Sequence, residues 1–319
     1  MSLKEAKIPS KDVYDLYRDG ITQSIIMGFL KCRVSFLLHL NKWTSVNKKS
    51  MFAFGTLTHE TLDKVYSYFQ QTGEVPTDTM IKVWIIKYVK AHKDWLPSRD
   101  AQKGEQIKVN CFVIVSEYVK HYADDFKNLE IMGAEDTFRV KFMQFTLRGK
   151  KDMRFRIHGK KWLIETKTMA RIDEETLSEK LAFDFQNLFY VTAEELEYPD
   201  EPTVGVLYNV IRNPSSKVTD KSLTDYQTKL RKKVQKNPEH YFLRYEVPYL
   251  QKDKVEFRRD LIGILTEIEG LLSGKVRIYR NFKNCVGRFS CGFLKACSSG
   301  TMIGYAQNAR LFSELESST

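Results

Sequence analysis

The stretch DMRFRIHGKKWLIETK, residues 152–167, constrains the fold more than any other part of the chain. Strand side chains repeat every two residues, so WLIETK places Trp162, Ile164 and Thr166 on one face and Leu163, Glu165 and Lys167 on the other. With His158–Lys161 as a four-residue hairpin loop, Ile157 is expected opposite Trp162 and Asp152 opposite Lys167. Two acids and one amine then converge at one end of a hairpin. On an ordinary surface such a group is a cross-strand ion pair that contributes little in water. It becomes chemistry when a cation lies between the carboxylates, which otherwise repel, and hard oxygen ligands suit Mg²⁺ or Mn²⁺. A neighbouring ammonium can then hold a water or stabilise charge developing on a phosphate.

The chain has 319 residues, enough for one large domain or two intimate ones. Lys and Arg exceed Asp and Glu by 51 to 40, a formal net charge of +11. That balance favours an acidic partner, nucleic acid first. No run approaches the roughly 20 apolar residues that span a bilayer, so no membrane partner is expected. The opening MSLKEAKIPSKD has neither an apolar signal core nor the Arg-rich, acid-poor character of a transit peptide. The expected location is cytoplasmic, in a bacterium or, for a viral protein, in its host.

Residues 11–134 read as mainly helical. ITQSIIMGFLKCRVSFLLHL and GTLTHETLDKVYSYFQQTG repeat apolar residues at helical spacing, the second stopping at Gly73, and TDTMIKVWIIKYVKAH and EQIKVNCFVIVSEYVKHYADDF do the same. From Asp136 the pattern changes. DTFRVKFMQFTLRG reads as a strand ending at Gly149, followed by the 152–167 hairpin, one long helix over EETLSEKLAFDFQNLFYVTAEELE, and a buried strand at TVGVLYNVIR. NPSSKVTDKS is a loop; a basic helix around DYQTKLRKKVQ, a strand at YFLRYEVPYL and a helix across FRRDLIGILTEIEGLLSG complete the pattern. No linker separates two independent units. Residues 1–134, with Cys32 and His59, and residues 135–319 are expected to form one integrated body.

Three of the five cysteines, Cys285, Cys291 and Cys297, recur at a constant interval in a segment with few apolar anchors. That pattern suggests metal ligands. Thiolate sites usually hold zinc or a [4Fe-4S] cluster with four ligands, and Cys32 is the natural fourth. Cys111, in VNCFVIVSEY, reads as core. With Cys32 as a ligand, the metal joins the two ends of the protein.

Asp152 followed by Glu165-Thr166-Lys167 resembles the signature of the PD-(D/E)xK nucleases, and more narrowly the RecB-type branch that includes AddB, the CRISPR adaptation nucleases and phage RecB-like exonucleases. His59 in FGTLTHETLD resembles the upstream helical histidine of that branch, and Gln186 and Tyr190 in FQNLFY resemble its Q-x-x-x-Y motif. Cys32 with the C-terminal triplet resembles the iron-sulfur staple of its cluster-bearing members. The five-residue gaps between the last three cysteines depart from the shorter first gap common in that staple, and zinc remains the alternative. The resemblance implies an α/β, restriction-endonuclease-like core, a mixed central sheet flanked by helices, with a helical N-terminal region and a C-terminal cysteine cluster. It implies Mg²⁺ or Mn²⁺ held by Asp152, Glu165, His59 and the Thr166 carbonyl. Lys167 would orient the attacking water or help to deprotonate it, and Gln186 and Tyr190 would bond to Lys167 or to the DNA backbone. The expected activity is exonucleolytic hydrolysis of DNA, on single-stranded or free ends, in recombination, repair or phage DNA processing, with recombination proteins as possible partners. Arg33, Arg154, Arg156 and the KLRKK run at 229–233 are candidate DNA contacts. The rival reading is a catalytically silent, metal-stapled module that grips DNA ends or a recombination partner.

Overall fold

A computed structural model describes residues 4–46, 53–92, 101–170, 174–214, 222–286, 291–309, 311 and 315. Most of the NPSSKVTDKS loop lies outside the described residues. The N-terminal region holds helices α1 (Gln23–Lys31) and α2 (Arg33–Leu40), a short strand β1 (Trp43–Ser45), and helices α3 (Ala53–Thr72), α4 (Asp78–Ala91), α5 (Ala101–His121) and α6 (Asp125–Asn128). Strands β2 (Glu130–Phe142), β3 (Phe145–Ile157) and β4 (Lys160–Met169) follow, then α7 (Glu174–Leu181), α8 (Phe185–Glu197), β5 (Thr203–Arg212), α9 (Leu223–Lys236), β6 (Phe242–Pro248) and α10 (Gln251–Leu272). The C-terminal segment carries α11 (Phe282–Cys285), α12 (Leu294–Ser299) and β7 (Tyr305–Gln307).

The central sheet has the order β2-β3-β4-β5-β6, with β4 and β5 parallel and every other pair antiparallel. It is the mixed central sheet, flanked by helices, that the family resemblance implies. One apolar core packs α1, α8 and α10 against residues such as Leu147, Leu163 and Val206, and a second packs α3, α5 and α9 against Met153, Ile164 and Ile211. Leu163 and Ile164 are neighbours in sequence and belong to different cores, as strand alternation requires.

Three local expectations are corrected. The hairpin loop has two residues rather than four: Ile157 pairs with Lys160 and Phe155 with Trp162. His158 and Gly159 both have positive φ, 50° and 71°, the backbone of a type I′ turn, whose twist matches that of the flanking strands. The recorded pairing ends at Met153 with Ile164, which puts Asp152 at the level of Glu165 instead of Lys167. Second, DTFRVKFMQFTLRG is a hairpin, turning between Phe142 and Phe145 with Met143 at φ 55°, and its second half continues through Gly149 as β3. Third, two stretches that read as single helices are broken. Cys32 is extended (φ −170°, ψ 121°) and divides α1 from α2; the break folds Phe36 edge-on to Phe29, 5.3 Å between centroids. Asp184 divides α7 from α8 because its carboxylate caps the new helix, accepting from the Asn187 amide at 2.9 Å.

Candidate active site

Strand β4, lying between β3 and β5, delivers Glu165, Thr166 and Lys167 to one end of the hairpin. Asp152 comes from β3 where that strand's recorded pairing with β4 stops. Its Oδ2 accepts the Thr166 backbone N–H at 2.7 Å, so a carboxylate takes the place of a ladder partner and is fixed against the strand. His59 comes from α3, with Nδ1 3.6 Å from the same Oδ2. Close approach of α3 rests on Gly55, one turn before His59, where a Cβ would meet the Thr168 hydroxyl at 2.6 Å.

Helix α8 supplies the other wall. Lys167 Nζ donates to Glu165 Oε1 and, at 2.8 Å, to Gln186 Oε1, while Gln186 Nε2 donates to the same Glu165 oxygen at 2.7 Å. The Gln186 amide therefore bridges the acid and the amine, and fixes both. Tyr190, one turn on along the same face of α8, packs edge-on to Phe138, 5.9 Å between centroids. Gly149 leaves the space for those rings, since a Cβ there would lie 2.8 Å from Phe138 and 3.3 Å from Tyr190.

The electrostatics are those of a buried site short of positive charge. Burial pushes Glu165 up to about 7, with Asp152 adding to the rise and Lys167 opposing it. Burial also raises Asp152, against the pull of the Thr166 amide and Lys167. Lys167 is raised: burial opposes its charge, but Glu165 and then Asp152 outweigh that. His59 is lowered by burial, which favours the neutral imidazole that can act as a ligand.

Two observations bear on a cation. Glu165 Oε2 is buried with no hydrogen-bond partner among the described residues, an orphan that costs free energy unless something binds it. Separately, a cavity of about 20 Å³ is lined by His59, Asp63, Asp152 and Thr166 among others, though not by Glu165, about the room that one water-sized species occupies. Among the described residues no group of three or more His, Cys, Asp or Glu side chains is placed so that it could hold a metal ion. The donors are nonetheless of the hard oxygen and imidazole kind that suits Mg²⁺ or Mn²⁺.

Sequence reading overlooked Asp63, Tyr66 and Asn209. Asp63 lies four residues after His59 in HETLD, and that helical spacing was the available signal. Asn209, fully buried opposite Thr166 on β5, donates to Thr166 Oγ1 at 3.3 Å and to Tyr118 Oη at 3.0 Å. Its Oδ1 accepts from Arg244 at 3.3 Å, and Arg244 is itself paired with Asp125 at 2.6 Å. Thr166 is thus braced from behind by a buried polar chain.

The family model of the PD-(D/E)XK nuclease superfamily matches residues 21–298, most of the chain. The chain belongs to that superfamily. Nucleases of this superfamily generally use Mg²⁺ or Mn²⁺, and DNA is the substrate that membership implies. No curated protein matches. A solved structure described as "Crystal structure of SSO0001" is 13% identical, covers 79% of this chain and 97% of its own, and has a TM-score of 0.31.

The remaining expected residues of this superfamily member fall in two places. Cys32 is buried in a small core that Cys291 and Cys297 pack against. Cys285 and Cys297 are raised first by burial, with Cys32 and Cys291 contributing to both, but the four thiols do not form a group that could hold a metal ion. Cys111 is fully buried in the other core, its sulfur 3.6 Å from the Thr61 hydroxyl. The candidate DNA-contact arginines are already partnered: Arg154 with Asp136, Arg156 with Glu130 and Glu201, Arg33 with Glu267, and Arg231 with Asp78 and Glu117. No helix among the described residues is long and apolar enough to cross a membrane.

Proposed function

We propose that this chain is a metal-dependent DNA exonuclease of the RecB/AddB-like branch, acting on single-stranded or free ends in recombination, repair or phage DNA processing. The observation that carries the reading is the half-buried Asp152 next to the buried Glu165 with its orphaned oxygen, beside Lys167 and Gln186. Asp152, Glu165, the His59 imidazole and the Thr166 carbonyl would hold the cation. The chemistry such an ion supplies is a more acidic water and a neutralised phosphate. Lys167, an ammonium at neutral pH beside Glu165, donates to the attacking water or to a phosphate oxygen rather than removing a proton. Gln186 keeps that ammonium aimed, and Tyr190, one turn on along α8, would bond to the DNA backbone.

The four cysteines would hold a [4Fe-4S] cluster, with zinc the alternative, as a structural staple. The packing of Cys291 and Cys297 against the small core that holds Cys32 supports this. The helical region 1–134 and the core region 135–319 act as one unit, a reading supported by α3 lying against β4 at Gly55 and by β1 pairing with β7.

The test is cleavage of end-labelled and internally labelled single-stranded DNA by anaerobically purified protein with Mn²⁺ or Mg²⁺. Wild type should release short products only with the metal, and Lys167→Ala should lose activity by at least a hundredfold, the scale typical of removing a transition-state donor, about 10²–10³. Retained cleavage by Lys167→Ala would refute the assignment of Lys167. DNA binding without cleavage by both proteins would favour the silent module.

A further inference from the structure

A cleft of about 700 Å³ opens between β6, the turn joining α7 to α8, and α10. Six consecutive residues, Arg244 to Tyr249, line it. Side chains alternate along a strand, so an unbroken run means that the backbone edge itself faces the cleft. β6 ends the sheet, and among the described residues no strand pairs with its outer edge. The floor is apolar, formed by residues such as Leu181, Leu188 and Phe257. Phe183 stands at the mouth, 87% exposed.

The charges on the rim decide what could enter. Glu246, Glu256 and Asp260 are exposed and have no ion-pair partner among the described residues. Arg244 offers no counter-charge, because its guanidinium holds Asp125 through two bonds of 2.8 and 2.6 Å and lies over the Tyr122 ring. In a chain of net charge +11 this is a local concentration of free acid. It repels nucleic-acid phosphates. It also repels the same edge of a second copy, since like charges facing each other across strands are destabilising. Charged residues and a terminal proline are devices by which edge strands avoid self-pairing, and Glu246 and Pro248 fit that role. The same charges accept a strand of opposite sign.

We propose that this cleft binds an extended, lysine- or arginine-bearing segment of a partner protein, added as a further strand to β6. Main-chain bonds along the free edge would supply affinity, and pockets for alternate side chains would supply selectivity. Apolar side chains on one face of the added strand would enter the cleft between α10 and the α7–α8 turn. Basic side chains would meet Glu246, Glu256 and Asp260. Pro248, which has no N–H, limits the ladder at that end. This proposal does not depend on the cleavage reading, since no residue of the Asp152 site takes part.

The probe is a fluorescein-labelled seven-residue peptide alternating lysine with valine or leucine, titrated into the full chain and followed by anisotropy. Two control peptides carry glutamate for lysine, or N-methyl groups on alternate backbone nitrogens. The expected result is saturable binding of the basic peptide, at least tenfold weaker binding of both controls, and slowed amide exchange at residues 243–247. The triple variant Glu246→Lys, Glu256→Lys, Asp260→Lys should bind the basic peptide at least tenfold more weakly. A variant of equal charge change elsewhere, Glu74→Lys, Asp200→Lys, Glu239→Lys, should bind it as wild type does. Circular dichroism and thermal melts report that each variant is folded. The proposal is overturned by equal binding of the N-methylated peptide, by an equal effect of the two triple variants, or by exchange protection elsewhere. Displacement of the peptide by an equal concentration of spermidine would make the cleft a site for small cations and would also overturn it.

Discussion

Glu165 is the side chain in which burial and chemistry conflict most directly. Its neutral form is favoured by desolvation and by Asp152, so its pKa in the folded chain rises from 4.5 to about 7. A folded-state value above the unfolded one means that the fold holds the proton more tightly. The stabilising contribution is complete below pH 4.5 and is lost as pH rises through about 7. In EDTA, wild type should therefore lose thermal stability between those limits relative to Glu165→Gln, which cannot ionise there. Added Mn²⁺ should narrow the difference above pH 7 for wild type alone. Thermal melts at half-unit pH intervals read both effects, and parallel pH profiles for the two proteins would remove Glu165 as their source. The sequence made Asp152, Glu165 and Lys167 legible because a two-residue period and charge type need no tertiary information. It did not show the Gln186 bridge as a geometry, or Asn209 behind Thr166, since each depends on how a helix or strand distant in sequence is placed.

At the scale of elements, what fixes α8, and with it Gln186 and Tyr190, is a buried ionic clasp two turns further along the helix. Glu194 is fully buried and meets Lys151 of β3 at 2.5 Å and Lys161 of β4 at 3.1 Å, both lysines being buried too. Glu197 adds a second contact to Lys151 at 2.8 Å. Glu194→Ala would leave Lys161 without its closest acid in a water-poor site, and removing one partner of a buried pair typically costs about 3–5 kcal/mol. Chemical denaturation should show a loss of that order, and DNA cleavage should fall even where the variant remains folded, because α8 carries Gln186. A loss below about 1 kcal/mol would show that α8 is held by its apolar face alone. None of this was readable beforehand: lysines on alternating strands look like solvent-facing charge until a helix is laid over them. The hairpin register failed for a different reason. His158-Gly159 can form a two-residue turn only by taking positive φ twice, and a reading that assigned four loop residues missed that option. A shift of two residues preserves every face assignment, so the face given to each residue of β4 did not depend on which turn was chosen.

Across the whole molecule, the N-terminal region and the C-terminal segment meet. β1 pairs with β7 from Trp43 with Gln307 to Ser45 with Tyr305, and the Asn284 amide donates to the Lys31 carbonyl at 2.8 Å, next to Cys32. The helix break at Cys32 gives the thiol its exit from the α1–α2 pair toward Cys291 and Cys297. Sequence spacing predicted that these cysteines belong together; it could not show that hydrogen bonds and a short ladder already join the same segments. That ladder sets the size of the effect expected from losing the proposed staple. In the chain-entropy treatment of cross-links, closing a hundred-residue loop is worth roughly 5 kcal/mol, and here part of that constraint is supplied without any metal. Cys285→Ser should therefore lose bound iron and sulfide, or zinc, measured on anaerobically purified protein, while costing clearly less than that figure in stability. Limited proteolysis should then cut beyond Leu272 faster than in wild type, and calorimetric Mn²⁺ binding at the Asp152 site should persist, because β3, β4 and α3 are held to one another by the sheet and its apolar core and not by the segment that carries the C-terminal cysteines. Unchanged metal content in Cys285→Ser would remove that thiol from the ligand set. Loss of Mn²⁺ binding together with the thiol-bound metal would show that the proposed staple also holds the Asp152 end of the sheet.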